Sequence, residues 1–157
     1  MSGLPPGLIF REAGRDDVPA MVRLLADDAL GRSREAVGDD VDPAYISAFE
    51  AIGQDPNNHL IVADLDGAVI GCMQLTAIPH LAFRGGTRLQ IEGVRVDQAY
   101  RGRRVGAAMI DHALAVARAR GCHLVQLTSN RQRPDALRFY QRLGFAPSHV
   151  GFKMDLG

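Results

Sequence analysis

Arg101, Gly102, Arg103, Arg104 and Gly106 crowd into residues 101–106, within the stretch AYRGRRVGAAM. Three guanidiniums and two glycines at that spacing suit one kind of chemistry, the binding of an anion. Arginines fork onto phosphate oxygens, and glycines let a phosphate come close to backbone N–H groups. Two well-known phosphate loops are excluded. The dinucleotide pattern G-x-G-x-x-G needs a third glycine, and the P-loop needs Gly-Lys-Ser/Thr. By itself the stretch leaves two readings open, an anion cradle and a basic turn facing water. The other reactive side chains point to no metal or thiol chemistry. Cys72 and Cys122 show no metal-ligand spacing and imply no disulfide framework; both stand in apolar strand contexts, as buried thiols would. His59, His80, His112, His123 and His149 are scattered, so no metal site is expected.

The place of the stretch in the chain strengthens its chemistry. Residues 88–97 alternate as a strand, with Leu89, Ile91, Gly93 and Arg95 on one face and Gln90, Glu92, Val94 and Val96 on the other. Past the loop, Val105, Met109, Ile110, Ala113, Leu114 and Ala117 form the buried face of a helix that Gly121 stops. Residues 123–128 read as the next apolar strand. The arginines therefore sit at the carboxyl end of a strand and the amino end of a helix. There the first turn has unpaired N–H groups and the positive end of the helix dipole. Strand, helix, strand makes two parallel neighbours.

The flanking elements complete a mixed sheet. A first strand is expected over 8–12 and a helix over 18–30, with Pro19 in its first turn. Residues 31–42 are polar and acidic, a loop. Pro43 opens a second helix that ends near Gly53. Residues 59–65 and 68–76 flank Asp66-Gly67, a strong hairpin signal because the type I′ turn needs positive φ. Residues 78–87 read as a loop. Pro134 and Asp135 start a helix over 136–143, stopped by Gly144. From Phe145 the chain reads as a closing strand pair, with Phe152 and Met154 in alternation. The fold class is α/β with a mixed sheet: antiparallel strands at the N-terminal side, a central parallel pair, and helices on both faces.

Composition bounds the rest. The 157 residues fit one domain, expected to span 1–157. The N-terminal residues lack the basic and apolar regions of a signal peptide, and no apolar run reaches membrane-spanning length. A cytoplasmic protein without a membrane partner is expected. The zero net charge hides an asymmetry. Residues 1–92 hold 7 basic and 14 acidic side chains, while residues 93–157 hold 11 basic and 4 acidic. One half prefers cations and the other anions, which suits a cationic substrate and a polyanionic cofactor; mutual attraction of the halves explains it equally.

The run IEGVRVDQAYRGRRVGAAMIDHAL, followed by LVQLTSN and DALRFYQRLGF, resembles the GCN5-related N-acetyltransferase (GNAT) superfamily. The superfamily pattern is Arg or Gln, two residues, Gly, one residue, then Gly or Ala. Arg101 matches its first position and Gly106 its last; Arg104 replaces the middle glycine. The later aromatic element matches Phe139, Tyr140, Gly144 and Phe145. Arg133 stands where an asparagine is usual, with Asn130 nearby. The segment LTSNRQRPDALRFYQRLGF is also similar to aminoalkylphosphonate N-acetyltransferases within the superfamily.

The resemblance implies acetyl-CoA as co-substrate. Its pyrophosphate would sit on the N–H groups of Arg101, Gly102, Arg103, Arg104, Val105, Gly106 and Ala107, with Asn130 and Arg133 as further contacts. Its arm would pair with the strand backbone at Val94 and Val96, as a peptide adds to a sheet edge, where the two central strands splay apart. At Arg104 a side chain is expected to require ordinary negative φ, leaving it an accessory to the backbone cradle.

The implied reaction passes the acetyl group directly to the amine of a small molecule. An alkylamine with pKa near 10.4 is mostly protonated at pH 7, and freeing it costs roughly 4.6 kcal/mol. Glu92 is the candidate base, acting through water; a structural pairing with an arginine such as Arg88 is the other reading. Tyr140 is the candidate acid for the departing thiolate, against a purely structural aromatic. A backbone N–H near Val94 would polarise the thioester carbonyl. Asp27, Asp28 and Gln74 are the candidates for the acceptor side, while most of the acidic run Glu35, Asp39, Asp40 and Asp42 reads as a solvated loop. Phosphonate-handling relatives leave a divalent ion open, and relatives often dimerise, which leaves a homodimer open. Two rivals stand: a cofactor-binding regulatory domain without catalysis, and a nucleic-acid-binding domain using the nine arginines between Arg101 and Arg142. The latter lacks interleaved surface aromatics, so no nucleic-acid partner is expected.

Overall fold

The expected turn at Asp66-Gly67 organises the sheet. In the computed structural model, which describes residues 3–157, both turn residues have positive φ, 51° and 90°, as a type I′ turn requires. β1 (Leu8–Glu12), β2 (Asn58–Leu65), β3 (Ala68–Pro79) and β4 (Thr87–Val96) pair antiparallel in that order. β5 (Leu124–Leu127) lies beyond β4 at the sheet's far side. It is reached through a helical crossover, which makes that pair parallel and the sheet mixed.

The chain divides into two compact units, one ending at Gln126 and the other starting at Leu127. In the first, α1 (Val18–Ala26), α2 (Ala29–Arg32), α3 (Pro43–Gln54), a single turn α4 (Ala82–Gly85) and α5 (Val105–Ala119) accompany the strands. α1 covers one face of the sheet: Met21 and Leu24 pack with Val62 and Cys72. α5 covers the other, with the Met109 sulfur close over Gly71. Met73, Leu75, Leu89, Ile91, Val105, Met109 and Ile110 are the large, fully buried side chains. Each contributes about 1.5–3 kcal/mol by leaving water. An ionic cluster locks β1 to the hairpin: Arg11 donates to Asp17 at 2.7 and 3.0 Å and to Asp64 at 2.7 Å.

The second unit holds α6 (Pro134–Arg142), opened by Pro134 and closed by amides of Leu143, Gly144 and Phe145 that donate back to its last carbonyls. Tyr140 packs on Phe139 and Phe145, ring centroids 5.0 and 5.8 Å away.

Four expectations are corrected. The helix expected over 18–30 breaks after Ala26, because Asp28 turns extended and its carboxylate accepts from the Gly31 N–H at 2.6 Å, starting α2 instead. The loop expected over 78–87 is partly strand, since β3 continues to Pro79, and Phe83 and Arg84 then take left-handed backbone at φ 54° and 59°. The facing of the 88–97 strand changes midway, as described below. Finally, residues 145–157 form no strand, and Phe152 and Met154 are exposed. Alternation marks a strand with one apolar face but does not supply the neighbour that completes a ladder.

Candidate active site

β4 carries a bulge. Gln74 pairs with Glu92 and Cys72 with Arg95, so Gly93 and Val94 together oppose Met73. Gly93 has φ +62°, a left-handed geometry at which any side chain is strained. The inserted residue reverses the alternation. Leu89 and Ile91 stay in the core beneath α5, but Arg95 now shares the α1 face with Glu92 instead of the face of Ile91. The sequence signal was the glycine inside a strand; alternation alone missed the bulge. The Cys72 thiol lies 3.8 Å from the Gly93 carbonyl, and burial pushes it up to about 12, so it stays a neutral thiol.

Glu92 stands exposed beside this bulge, and its carboxylate has no hydrogen bond or ion pair among the described residues. The pairing with Arg88 is absent. Across the ladder, Gln74 faces the same side and its amide reaches Asn58 at 3.5 Å. Asp28 lies 3.7 Å from Arg95 on that face. Asp27 is drawn to Arg101, Oδ2 to Nη2 at 3.2 Å. The two aspartates thus sit where α1 gives way to α2, one holding the loop after β4 and the other capping a helix.

β5 is shorter than the strand it borders. His123 donates to the Thr87 carbonyl at 2.8 Å, and the Gln126 amide reaches Gln90 at 2.7 Å. Four residues in that register serve only the first half of β4, so the half with Glu92, Val94 and Val96 continues past β5 as an open edge. Its carbonyls are engaged by guanidiniums: Arg95 donates to Val94 at 2.9 Å and Arg101 to Val96 at 3.1 Å.

The loop after β4 makes a 3-10 turn over Gln98–Tyr100, capped by Asp97, and enters α5 at Val105. The first intrahelical bond runs from the Ala108 N–H to the Arg104 carbonyl at 3.0 Å. The amides of Val105, Gly106 and Ala107 precede it, in the first turn of the helix. Gly102 has φ +76° and Arg103 lies over the Tyr100 ring. Arg104 overturns the expected negative φ: it is left-handed at φ 62° and caps α5. The chain keeps the conformation a glycine would adopt and tolerates a side chain there, at a cost of order 1–2 kcal/mol. Three helix-start amides, the dipole and the exposed Arg103 and Arg104 are a donor set that fits a pyrophosphate. Arg101, committed to Val96 and Asp27, braces the loop from behind.

In the second unit, Tyr140 lies half-buried on α6. Asn130 accepts from the Gln132 N–H at 2.9 Å and Arg133 caps α6, so both shape the helix entry. Among the described residues, no three His, Cys, Asp or Glu side chains gather as a metal site, and no helix is long and apolar enough to cross a membrane.

The acetyltransferase (GNAT) family profile matches residues 20–145. The chain belongs to this family. It is an N-acetyltransferase. It is 34% identical over 109 residues to the aminoalkylphosphonate N-acetyltransferase of Salmonella typhimurium, covering 69% of this chain and 70% of that protein. It is 35% identical over 91 residues to the glucosamine 6-phosphate N-acetyltransferase of Trypanosoma brucei brucei, covering 57% and 59%. Among solved structures, a protein of Bacillus halodurans C-125 described as a transcriptional regulator superposes with a TM-score of 0.92 at 46% identity, over 95% of this chain and 99% of that one. The mixed sheet with helices on both faces is the GNAT fold.

Proposed function

We propose that the protein transfers the acetyl group of acetyl-CoA directly to the primary amine of a small molecule, with residues 1–157 acting as one acetyltransferase domain. The family match runs through both units, which supports that extent. The observation that carries the reading is the unpaired Glu92 carboxylate beside the Gly93 bulge, on an open strand edge that leads to a helix-start anion cradle.

The bound thioester supplies an activated acetyl group and a thiolate leaving group. Val105, Gly106 and Ala107 hold the pyrophosphate through their N–H groups, with Arg103 and Arg104 at the rim. Glu92, accessible to water, takes the proton from the ammonium form of the acceptor and so lowers the roughly 4.6 kcal/mol cost of a free amine at pH 7. The Val94 N–H, on the bulge, donates toward the carbonyl oxygen as charge develops there. Tyr140 holds the proton for the departing sulfur. Asp27, Asp28 and Gln74 draw the cationic acceptor to the α1 side. Cys72, buried as a neutral thiol, supports direct transfer without a covalent enzyme intermediate. Two free cysteines accord with a reducing, cytoplasmic setting.

The names of two relatives narrow the acceptor to try first. Each couples an amine with a phosphorus oxyanion. An amine panel led by aminoalkylphosphonates and amino-sugar phosphates, with polyamines, amino acids, aminoglycosides and peptide N-termini behind them, is read by release of free CoA. Release with a small amine and none with the peptides supports the proposal. Release with the peptides alone would overturn the small-molecule assignment.

A further inference from the structure

Arginine pairing is uneven across the acidic half of the chain. Of the first five arginines in the sequence, Arg11 meets Asp17 and Asp64, Arg15 meets Glu50, and Arg34 meets Glu35. Arg23 on α1 makes no hydrogen bond or ion pair among the described residues. Arg32 on α2 has a long contact, 3.4 Å from its Nε to the Asp28 carbonyl, and no carboxylate. They stay unpaired although residues 1–92 hold 14 acidic side chains against 7 basic ones. Solvated arginines on open surface are ordinary, but these two line one cavity.

That cavity, of about 600 Å³, lies on the α1 side of the sheet where β3 begins and β4 ends. Leu24, Val37 and Val69 give it apolar wall; Val37 is 55% exposed in an otherwise polar loop. Its two carboxylates are already engaged. Asp27 accepts from Arg101 at 3.2 Å, and Asp97 from the Ala99 N–H at 2.8 Å. The uncompensated charge of the lining is therefore positive. The cavity is also separate from the site around Glu92. Ala20, Arg23, Leu24 and Asp27 share one stripe of α1 and its cap, and all four line it. Leu25 and Asp28, one position on, lie instead beside Gly93 and Arg95. From Glu92 to Asp97 the chain runs about 15 Å at the rise of a strand.

We propose that Arg23 and Arg32 form a binding site for a small organic phosphate, its phosphoryl group held by the two guanidiniums and its carbon body by Leu24, Val37 and Val69. The ligand class follows from the lining. Guanidiniums are always charged and fork onto phosphoryl oxygens. Two of them match a group that carries about −1.5 to −2 charge at pH 7, whereas a single carboxylate leaves one without a counter-charge. The volume is that of a small-molecule site and exceeds what a bare phosphate ion fills, and the apolar wall serves a carbon body. The occupant is a bound ligand rather than the acceptor of the acetyl group, because it lies away from Glu92 and needs no amine. Asp97 caps the turn that leads toward α5, so the site borders the cofactor loop without belonging to the cradle. This inference stands apart from the acetyl-transfer reading.

Isothermal titration calorimetry of the intact chain with phenyl phosphate, at constant ionic strength, tests it. Phenyl phosphate should bind about tenfold or more tightly than inorganic phosphate, which lacks the body. Because the start of α5 offers another place for a phosphate, variants assign the heat. Arg23→Ala/Arg32→Ala should weaken phenyl phosphate binding by about tenfold or more, while Arg103→Ala/Arg104→Ala keeps that component. This result stands whether or not the protein transfers acetyl groups. In the wild type, phenyl phosphate should also slow amide hydrogen exchange over residues 29–37. No heat with the wild type, or unchanged exchange over 29–37, would overturn the proposal without any variant. So would binding that Arg23→Ala/Arg32→Ala keeps, or that Arg103→Ala/Arg104→Ala alone abolishes. Inorganic phosphate binding as tightly as phenyl phosphate would overturn the assignment to an organic ligand.

Discussion

Glu92 is the residue on which the proposed chemistry turns, and its environment makes the expectation specific. It is exposed, unpaired and adjacent to the bulge. Glu92→Gln should lower kcat/KM about 10²- to 10⁴-fold, the usual worth of a positioned base, while acetyl-CoA affinity measured by calorimetry stays within a factor of two or so. Equal losses in affinity and turnover would instead assign Glu92 to binding. Arg104 makes the opposite kind of prediction. It is a non-glycine residue in left-handed backbone at a family glycine position, so Arg104→Gly should raise stability by about 1 kcal/mol in urea unfolding. Cofactor affinity should fall less than tenfold, because in the proposed cradle the amides of residues 105–107 do most of the holding. The sequence showed that position 104 departs from the pattern. It could not show that the backbone keeps its geometry regardless, because φ there is set by the helix entry rather than by the residue's own preference.

At the scale of elements, the bulge in β4 shapes the candidate site and the ionic lock on β1 ties that strand to the hairpin. Gly93→Ala puts a Cβ on left-handed backbone; a loss of about 1–2 kcal/mol in stability is expected, together with a fall in kcat larger than any rise in KM. The Arg11 guanidinium holds the carboxyls of Asp17 and Asp64 below the ordinary carboxylate range, chiefly by its hydrogen bonds to them. Their lowered values mean stability that is full above the ordinary carboxylate pKa of about 4 and is lost as pH falls through the folded-state values. Urea midpoints should therefore be flat from about pH 5 to 7 and drop below about pH 4. Arg11→Leu should lower the midpoint at pH 7 and shrink the acid drop; an unchanged acid limb would mean that other carboxylates drive it. The hairpin was legible because Asp-Gly demands its turn, and the helix before β5 because six apolar residues share its stripe. The break at Asp28 was not, because the carboxylate bond that ends one helix and starts another competes locally with a continuous periodic pattern.

For the molecule as a whole, the family was written in motifs on two elements, Arg101 to Gly106 and Phe139 to Phe145, and the fold follows from it. The fate of the C-terminal residues was not legible. The alternation of Phe152 and Met154 predicts a closing strand pair, whereas both side chains lie exposed and outside any ladder; a sequence pattern marks a face but does not supply the neighbouring strand. The charge asymmetry divides differently from the two compact units, since the acidic residues 1–92 end within β4 and the basic remainder begins there. The change of sign therefore falls within β4, which accords with the proposed reaction of an amine with a phosphate-bearing donor and equally with mutual attraction of the two halves. The most direct test of the account is the rate of CoA release from acetyl-CoA in the presence of a small primary amine, measured for wild type and for Glu92→Gln side by side. The account predicts amine-dependent release by the wild type and a loss of at least about a hundredfold in the variant. A wild type that binds acetyl-CoA yet releases no CoA with any amine would contradict it and leave a cofactor-binding regulator in its place.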